Sequence, residues 1–148
     1  NFNLKLVKLK REKPEYKNLK YKKILSYLSK IDNSQSDIGL VFNKRLLETG
    51  TSNLLFVKDQ KFFTPKKGYY EGNTYKFFKT KIKKIIKKDI LLKEINDYDE
   101  ILLLGSGKGV ASVRTINEIK WRRKNLEKFR LLSKHYNTVI NKCNSYKF

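Results

Sequence analysis

Methionine is absent from this 148-residue sequence, cysteine occurs once, at Cys143, and proline occurs twice. A single cysteine excludes an internal disulfide and any metal site made of several thiolates, so we expect no bound metal. Hydrophobic runs are also short, and none approaches the roughly 18–20 residues that a membrane-spanning helix requires. With no secretory leader either, we expect a cytoplasmic protein with no membrane partner. Because the chain starts at Asn1 and contains no methionine, we expect it to be part of a longer protein.

Acidic residues are scarce: 14 Asp and Glu stand against 35 Lys and Arg, which gives a formal net charge of +21. A basic chain with nine tyrosines and nine phenylalanines could bind nucleic acid, because cations neutralise phosphates and aromatic rings stack on bases. However, 29 of the cations are lysines and only 6 are arginines. Specific recognition of bases usually relies on arginine, whose planar guanidinium group makes bidentate hydrogen bonds. We therefore expect no specific nucleic-acid partner, and keep a basic nucleic-acid-binding domain as an alternative of another class.

The chain is long enough for a single domain, residues 1–148, and its 39% hydrophobic and 13% aromatic residues predict that it folds. Apolar alternation and short apolar runs predict strands over residues 2–10, 38–42, 46–48, 52–58, 62–64, 90–95 and 101–104, and a further strand region over 110–121. Apolar residues spaced by three and four predict helices over residues 18–31, 75–86 and 126–140. Together these elements predict an α+β fold with helices packed on largely antiparallel strands.

Two glycine-containing segments have the chemistry of anion sites. Gly72-Asn73-Thr74 stands at the head of a predicted helix, where free N–H groups and the helix dipole attract anions. Taken alone, the same segment is better explained as an ordinary helix cap. The segment 105–109, Gly-Ser-Gly-Lys-Gly, follows an apolar strand and lacks the spacing of a Walker loop or a dinucleotide fingerprint. Its backbone N–H groups and the Ser106 hydroxyl could still bind a phosphate.

Glu48 is the third feature of interest after these two segments, because it lies between the apolar pair at 46–47 and the small polar run at 49–53. A carboxylate in such half-buried surroundings requires a cationic partner. That partner is either one of the many lysines or a heterocyclic cation such as a protonated pyridine nitrogen.

These segments, in this order, resemble the motifs of the class IV aminotransferase-like family, the fold-type IV pyridoxal-phosphate enzymes. Residues 48–65 resemble its E-x-x-x-S-N-hydrophobic-F…T-P signature, and residues 16–21 resemble its lysine motif. Residues 72–76 are similar to its phosphate segment. Residues 105–110 are similar to its last motif, in the form closer to aminodeoxychorismate lyases than to aminotransferases. The resemblance implies the C-terminal lobe of the D-amino acid aminotransferase-like fold, a barrel-like antiparallel sheet flanked by helices, with pyridoxal 5'-phosphate as cofactor.

The resemblance also implies a role for each site residue. Lys17 would be the catalytic residue, which forms the Schiff base with the cofactor and then shuttles protons. Glu48 would pair with the pyridine nitrogen and keep it protonated. Asn73, Thr74 and Ser106 would hold the cofactor phosphate.

Two further residues, Gly107 and Lys108, would lie beside the substrate, a small anionic amino compound whose carboxylate Lys108 could meet. The implied reaction converts 4-amino-4-deoxychorismate into 4-aminobenzoate and pyruvate for folate synthesis. The alternative within the same fold is an aminotransferase of the branched-chain or D-amino acid type. In this family an N-terminal lobe completes the cleft, so we expect residues 1–148 alone to be inactive and the full-length protein to be a homodimer.

Overall fold

The computed structural model describes residues 1–9 and 22–144, and in these ranges it contains nine strands and three α-helices. The strands are β1 (Phe2–Lys8), β2 (Ser36–Phe42), β3 (Arg45–Thr49), β4 (Asn53–Lys58), β5 (Lys61–Pro65), β6 (Ile85–Lys88), β7 (Glu100–Gly105), β8 (Gly109–Ile116) and β9 (Trp121–Arg122). The helices are α1 (Lys22–Leu28), α2 (Asn73–Lys81) and α3 (Glu127–Asn144), with short 3-10 helices at Leu92–Asp97 and Asn117–Ile119. Among these described helices, none is long and apolar enough to cross a membrane.

The strands form one curled, mixed sheet in the order β3-β2-β1-β8-β7-β4-β5-β6, and β9 pairs with β8. Three neighbouring pairs, β1–β2, β1–β8 and β5–β6, are parallel, and the others are antiparallel. The α+β half-barrel flanked by helices is therefore confirmed. The sheet is mixed rather than purely antiparallel, because the chain crosses over between strands through α1 and α2.

The core lies on both faces of the central pair β4 and β7. Successive side chains of a strand point to opposite faces, and here each face has its own cluster. Leu54 and Ile101 belong to the cluster that contains Trp121, whereas Leu55 and Leu102 pack in a second cluster beneath α2 and α3. Burial on both sides explains why these strands are continuously apolar instead of alternating.

Two predicted elements differ from the structure. The helix predicted over residues 75–86 ends at Lys81, and Ile85 and Ile86 instead pair in parallel with Phe62 and Phe63 of β5. Their spacing fits a helical stripe, but β-branched side chains pack well on a sheet surface, and strand pairing with β5 prevails.

The strand predicted over residues 90–95 is also wrong, because Leu92–Asp97 is a 3-10 helix. Only a single bridge, Arg45 to Leu91, joins this segment to β3. A short apolar run cannot distinguish a strand from a buried turn by periodicity alone. Of the helix predicted over 18–31, Lys22–Leu28 is helical, and residues 18–21 lie outside the described residues.

Candidate active site

A cleft of about 350 Å³ lies where four parts of the chain meet. Its lining comes from α1, from the turn between β3 and β4, from the segment before α2, and from the loop between β7 and β8. The residues that line it are Leu25, Leu28, Glu48, Gly50, Thr51, Ser52, Asn53, Tyr70, Gly72, Leu104, Gly105, Ser106 and Gly107. Three of the four segments singled out from the sequence therefore meet at one site.

Glu48 supplies the carboxylate of the cleft. It is the penultimate residue of β3 and only 3% exposed. One of its oxygens, Oε1, lies 3.5 Å from the Tyr70 backbone N–H, a long hydrogen bond. Leu25 and Leu28 of α1 line the same cleft, so the carboxylate borders apolar surface. An ionised carboxylate in such surroundings favours a cationic ligand.

Asn53 fixes the segment that leads into α2. Its side chain is 4% exposed, its Nδ2 donates to the Tyr70 carbonyl at 2.6 Å, and its Oδ1 accepts the Gly72 N–H at 2.9 Å. The amide thus uses both its donor and its acceptor on one stretch of backbone. A Cβ at position 72 would lie 3.2 Å from Asn53 Oδ1, so glycine permits this close approach. Sequence reasoning missed Asn53 as a site residue, although it stands within the quoted signature.

Helix α2 begins beside the cleft, and its N-cap is Gly72, with no hydrogen bond from a capping side chain. The first N–H groups of a helix have no partner within the helix and attract anions. Of the three residues predicted here, Gly72 lines the cleft, Thr74 is buried and Asn73 is exposed. Three residues before Gly72, burial raises the pKa of the Tyr69 hydroxyl well above its usual value.

The loop between β7 and β8 packs tightly against the turn between β3 and β4. A Cβ on Gly105 would lie 2.5 Å from Ser52 Oγ and 3.0 Å from the Thr51 carbonyl oxygen, so only glycine allows this approach. Gly107, in contrast, has open space around its would-be Cβ. Ser106 is exposed and lines the cleft with Gly107.

Lys108 lies in the same loop, but its ammonium group is directed at protein. Its Nζ donates to Thr51 Oγ1 at 2.5 Å and lies 3.5 Å from Asp37 Oδ2, and the side chain is 17% exposed. The Phe2 ring centroid is 5.1 Å from the same nitrogen. That Lys108 meets a substrate carboxylate stays a prediction.

Lys17, the predicted catalytic lysine, lies outside the described residues, in the stretch between Leu9 and Lys22. Helix α1 follows this stretch and lines the cleft through Leu25 and Leu28. Within the described ranges, no group of three His, Cys, Asp or Glu side chains is arranged to hold a metal ion.

Comparisons with known proteins agree with this architecture. The family model of amino-transferase class IV matches residues 2–116. The fold is similar to that of the 4-amino-4-deoxychorismate lyase from Pseudomonas aeruginosa, at 21% identity and a TM-score of 0.73, over 90% of this chain and 53% of that chain. No curated protein matches the sequence significantly.

Two other solved structures are aminotransferases by their descriptions. A protein assigned as a branched-chain amino acid aminotransferase from Thermotoga maritima has 23% identity and a TM-score of 0.74, over 94% of this chain and 55% of that one. A hypothetical aminotransferase from Mycobacterium tuberculosis, in a form with α-ketoglutarate and PMP bound, has 16% identity and a TM-score of 0.67, over 86% and 51%. This chain therefore spans about half the length of the structures that it matches.

Proposed function

The chain belongs to the class IV aminotransferase family, and on that premise we propose that it is the cofactor-binding part of a pyridoxal-phosphate-dependent lyase. The proposed substrate is 4-amino-4-deoxychorismate, and the products are 4-aminobenzoate and pyruvate, for folate synthesis. The observation that carries the proposal is the meeting of Glu48, Gly72 and Ser106 in one cleft, although they lie on three separate segments.

The residues of the cleft suit pyridoxal phosphate chemically. A buried carboxylate matches a protonated pyridine nitrogen, and the first N–H groups of α2 together with the Ser106 hydroxyl match a phosphate. The volume of about 350 Å³ is within the usual range for small-molecule sites. When bound, the cofactor supplies an electron sink for charge that develops next to the substrate nitrogen.

The chain contributes binding, orientation and proton control. Glu48 would pair with the ring nitrogen of the bound cofactor and favour its protonated form. Asn53 holds the backbone at Tyr70 and Gly72, directly before the start of α2. Leu25 and Leu28 give one side of the cleft an apolar lining. In this proposal Lys17 would hold the cofactor through its amine, and the same amine would accept the substrate's proton and return it.

An aminotransferase of the same fold is the second candidate. Its basis is that solved aminotransferases share the fold, at TM-scores of 0.74 and 0.67, as the lyase does at 0.73. The lyase is favoured by residues 105–110, whose sequence is closer to the lyase form of the last motif. The two candidates share every residue role given above and differ in the fate of the substrate.

The test uses the full-length protein that contains this chain. Incubation with 4-amino-4-deoxychorismate and pyridoxal phosphate should release 4-aminobenzoate and pyruvate in equal amounts, and Lys17→Ala should abolish the release. Amino transfer to a keto acid without pyruvate release would favour the aminotransferase. A full-length protein that binds no pyridoxal phosphate would contradict both candidates.

A further inference from the structure

Asp37 is a fully buried carboxylate at the start of β2 to which the proposed function assigns no role. Its Oδ1 accepts the Ile38 N–H at 2.8 Å, and its Oδ2 accepts the hydroxyls of Thr49 and Thr51, both at 2.7 Å. The Lys108 ammonium lies 3.5 Å from the same Oδ2. A buried charge is tolerated only when it is paired and hydrogen-bonded, and Asp37 meets both conditions.

The carboxylate shapes the turn between β3 and β4 through Thr49. Because the Thr49 hydroxyl donates to Asp37, its lone pairs are free to accept, and they receive the N–H groups of Thr51 at 3.2 Å and Ser52 at 2.8 Å. The turn is closed by the Thr49 N–H, which donates to the Ser52 carbonyl at 2.9 Å. Glu48 directly precedes this turn. The strand that carries Glu48 thus leads directly into the turn that Asp37 holds.

Lys108 joins this turn to the second glycine-containing loop. The Thr51 hydroxyl donates to Asp37 and accepts from Lys108 Nζ, so one hydroxyl lies between the two charges. The loop that carries Lys108 also carries Ser106, and it contacts the turn at Gly105. Two walls of the cleft are thus joined by a close backbone approach and by a partly buried ion pair.

We propose that Asp37 and Lys108 are positioning residues that act as a pair. They hold the turn at 49–52 and the loop at 105–109 in the relative placement that cofactor binding requires, and the Lys108 ammonium acts through Asp37 and Thr51 rather than on the substrate. The inference rests on the proposed function of the cleft and deepens it. Its observable consequence is energetic coupling between two residues that are far apart in the sequence and lie on separate elements.

The experiment is a double-mutant cycle on the full-length protein with Asp37→Asn, Lys108→Met and the double variant. We measure the dissociation constant of pyridoxal phosphate by titration of the cofactor-free protein, with no substrate present. Each single variant should weaken binding about tenfold, and the double variant should be no weaker than either single one. Lys108→Arg should restore most of the affinity, because it restores the charge.

The matched control is the surface ion pair of Lys88 and Glu94, whose atoms are 3.6 Å apart and remote from the cleft. Lys88→Met and Glu94→Gln should leave cofactor affinity unchanged. If Asp37→Asn does not fold, Thr51→Val replaces it in the cycle, because it removes the hydroxyl between the charges. Coupling between Thr51→Val and Lys108→Met then supports the inference, and additive effects overturn it.

Other results overturn the inference as well. Unchanged cofactor affinity with a raised KM for the amino substrate in Lys108→Met would assign Lys108 to the substrate carboxylate. The pair would be purely structural if the variants melted at lower temperatures but bound pyridoxal phosphate with unchanged affinity at temperatures well below melting. Failure of the unmodified protein to bind the cofactor would instead contradict the proposed function, and is distinguishable because no variant is involved.

Discussion

Two buried carboxylates, Glu100 and Asp37, are connected to opposite ends of β7, and they have different surroundings. At the start of the strand, Glu100 accepts the backbone N–H groups of Lys128 and Phe129 at 2.9 and 3.0 Å, at the beginning of α3. At its other end, β7 leads into the loop that reaches Asp37 through Lys108. Glu100 joins a helix to the sheet, whereas Asp37 joins two loops of a cleft. Burial of a carboxylate therefore does not by itself distinguish a structural role from a functional one, and the bonded partners do.

Glu48→Gln should give the largest effect at the cleft end. A neutral amide cannot keep the ring nitrogen protonated, so turnover of the full-length enzyme should fall about 100-fold or more, while cofactor still binds. Steady-state kinetics and cofactor titration measure the two quantities separately. Glu94→Gln, at a half-exposed glutamate remote from the cleft, is the control. Unchanged turnover in Glu48→Gln would remove Glu48 from the site.

Glu100→Gln, at the other end of β7, should lower the stability of the fold and leave the cleft unaffected. The amide can accept fewer of the α3 N–H groups and leaves a buried N–H donor unmatched, so the free energy of unfolding should fall by about 2 kcal/mol. Denaturant unfolding measures that loss. Cofactor affinity at temperatures well below the melting point should stay the same. A loss of affinity without a loss of stability would show that Glu100 also serves the cleft.

Asn53→Ala should have an intermediate effect on cofactor binding, and the effect should require the phosphate group of the cofactor. Because Asn53 holds the backbone at Tyr70 and Gly72, its loss should weaken pyridoxal phosphate binding about tenfold and leave the weaker binding of pyridoxal unaffected. Titration of both compounds gives the ratio. Asn96→Ala, at an exposed asparagine near the start of β7, is the matched control. An equal loss for both compounds would mean that Asn53 supports the whole cleft.

Sequence-specific binding of nucleic acid should be the smallest effect of all, despite the net charge of +21. Binding driven by counterion release should be independent of sequence and should decrease steeply between about 50 and 200 mM salt. Fluorescence anisotropy with two unrelated duplexes measures it. Sequence-selective binding that persists at physiological salt would favour the nucleic-acid alternative over the enzyme.

The sequence predicted the cleft better than it predicted the sheet edge. Glu48 and Ser106 were singled out from local motifs that occur in a fixed order, and both line the cleft. Asn73 and Thr74 were predicted with them and are not among its lining residues, and the role of each of these four residues stays a prediction. Asp37 could not be singled out, because its partners lie on a turn and a loop that only the folded sheet brings near. The available signal was an aspartate directly before the apolar run at 38–41, where a buried charge must find a partner.

The direction of the Lys108 side chain was equally beyond sequence reasoning. A lysine between glycines is compatible with a substrate contact or a protein contact, and the choice depends on where Asp37 lies. The strand at Ile85–Lys88 was missed for a related reason. Its pairing with β5 is a contact across the intervening α2, and the local isoleucine spacing fits a helix equally well.

Strand β6 is the last in the sheet order, so one of its sides has no neighbouring strand among the described residues. A free strand edge is a template on which another chain can add a strand and begin to aggregate. Here the two isoleucines of β6 are bracketed by lysine pairs, at 83–84 and at 87–88. A second copy that approached in register would bring like charges together along the whole strand. The lysines on both sides of the two isoleucines would therefore oppose strand pairing between two copies at this edge.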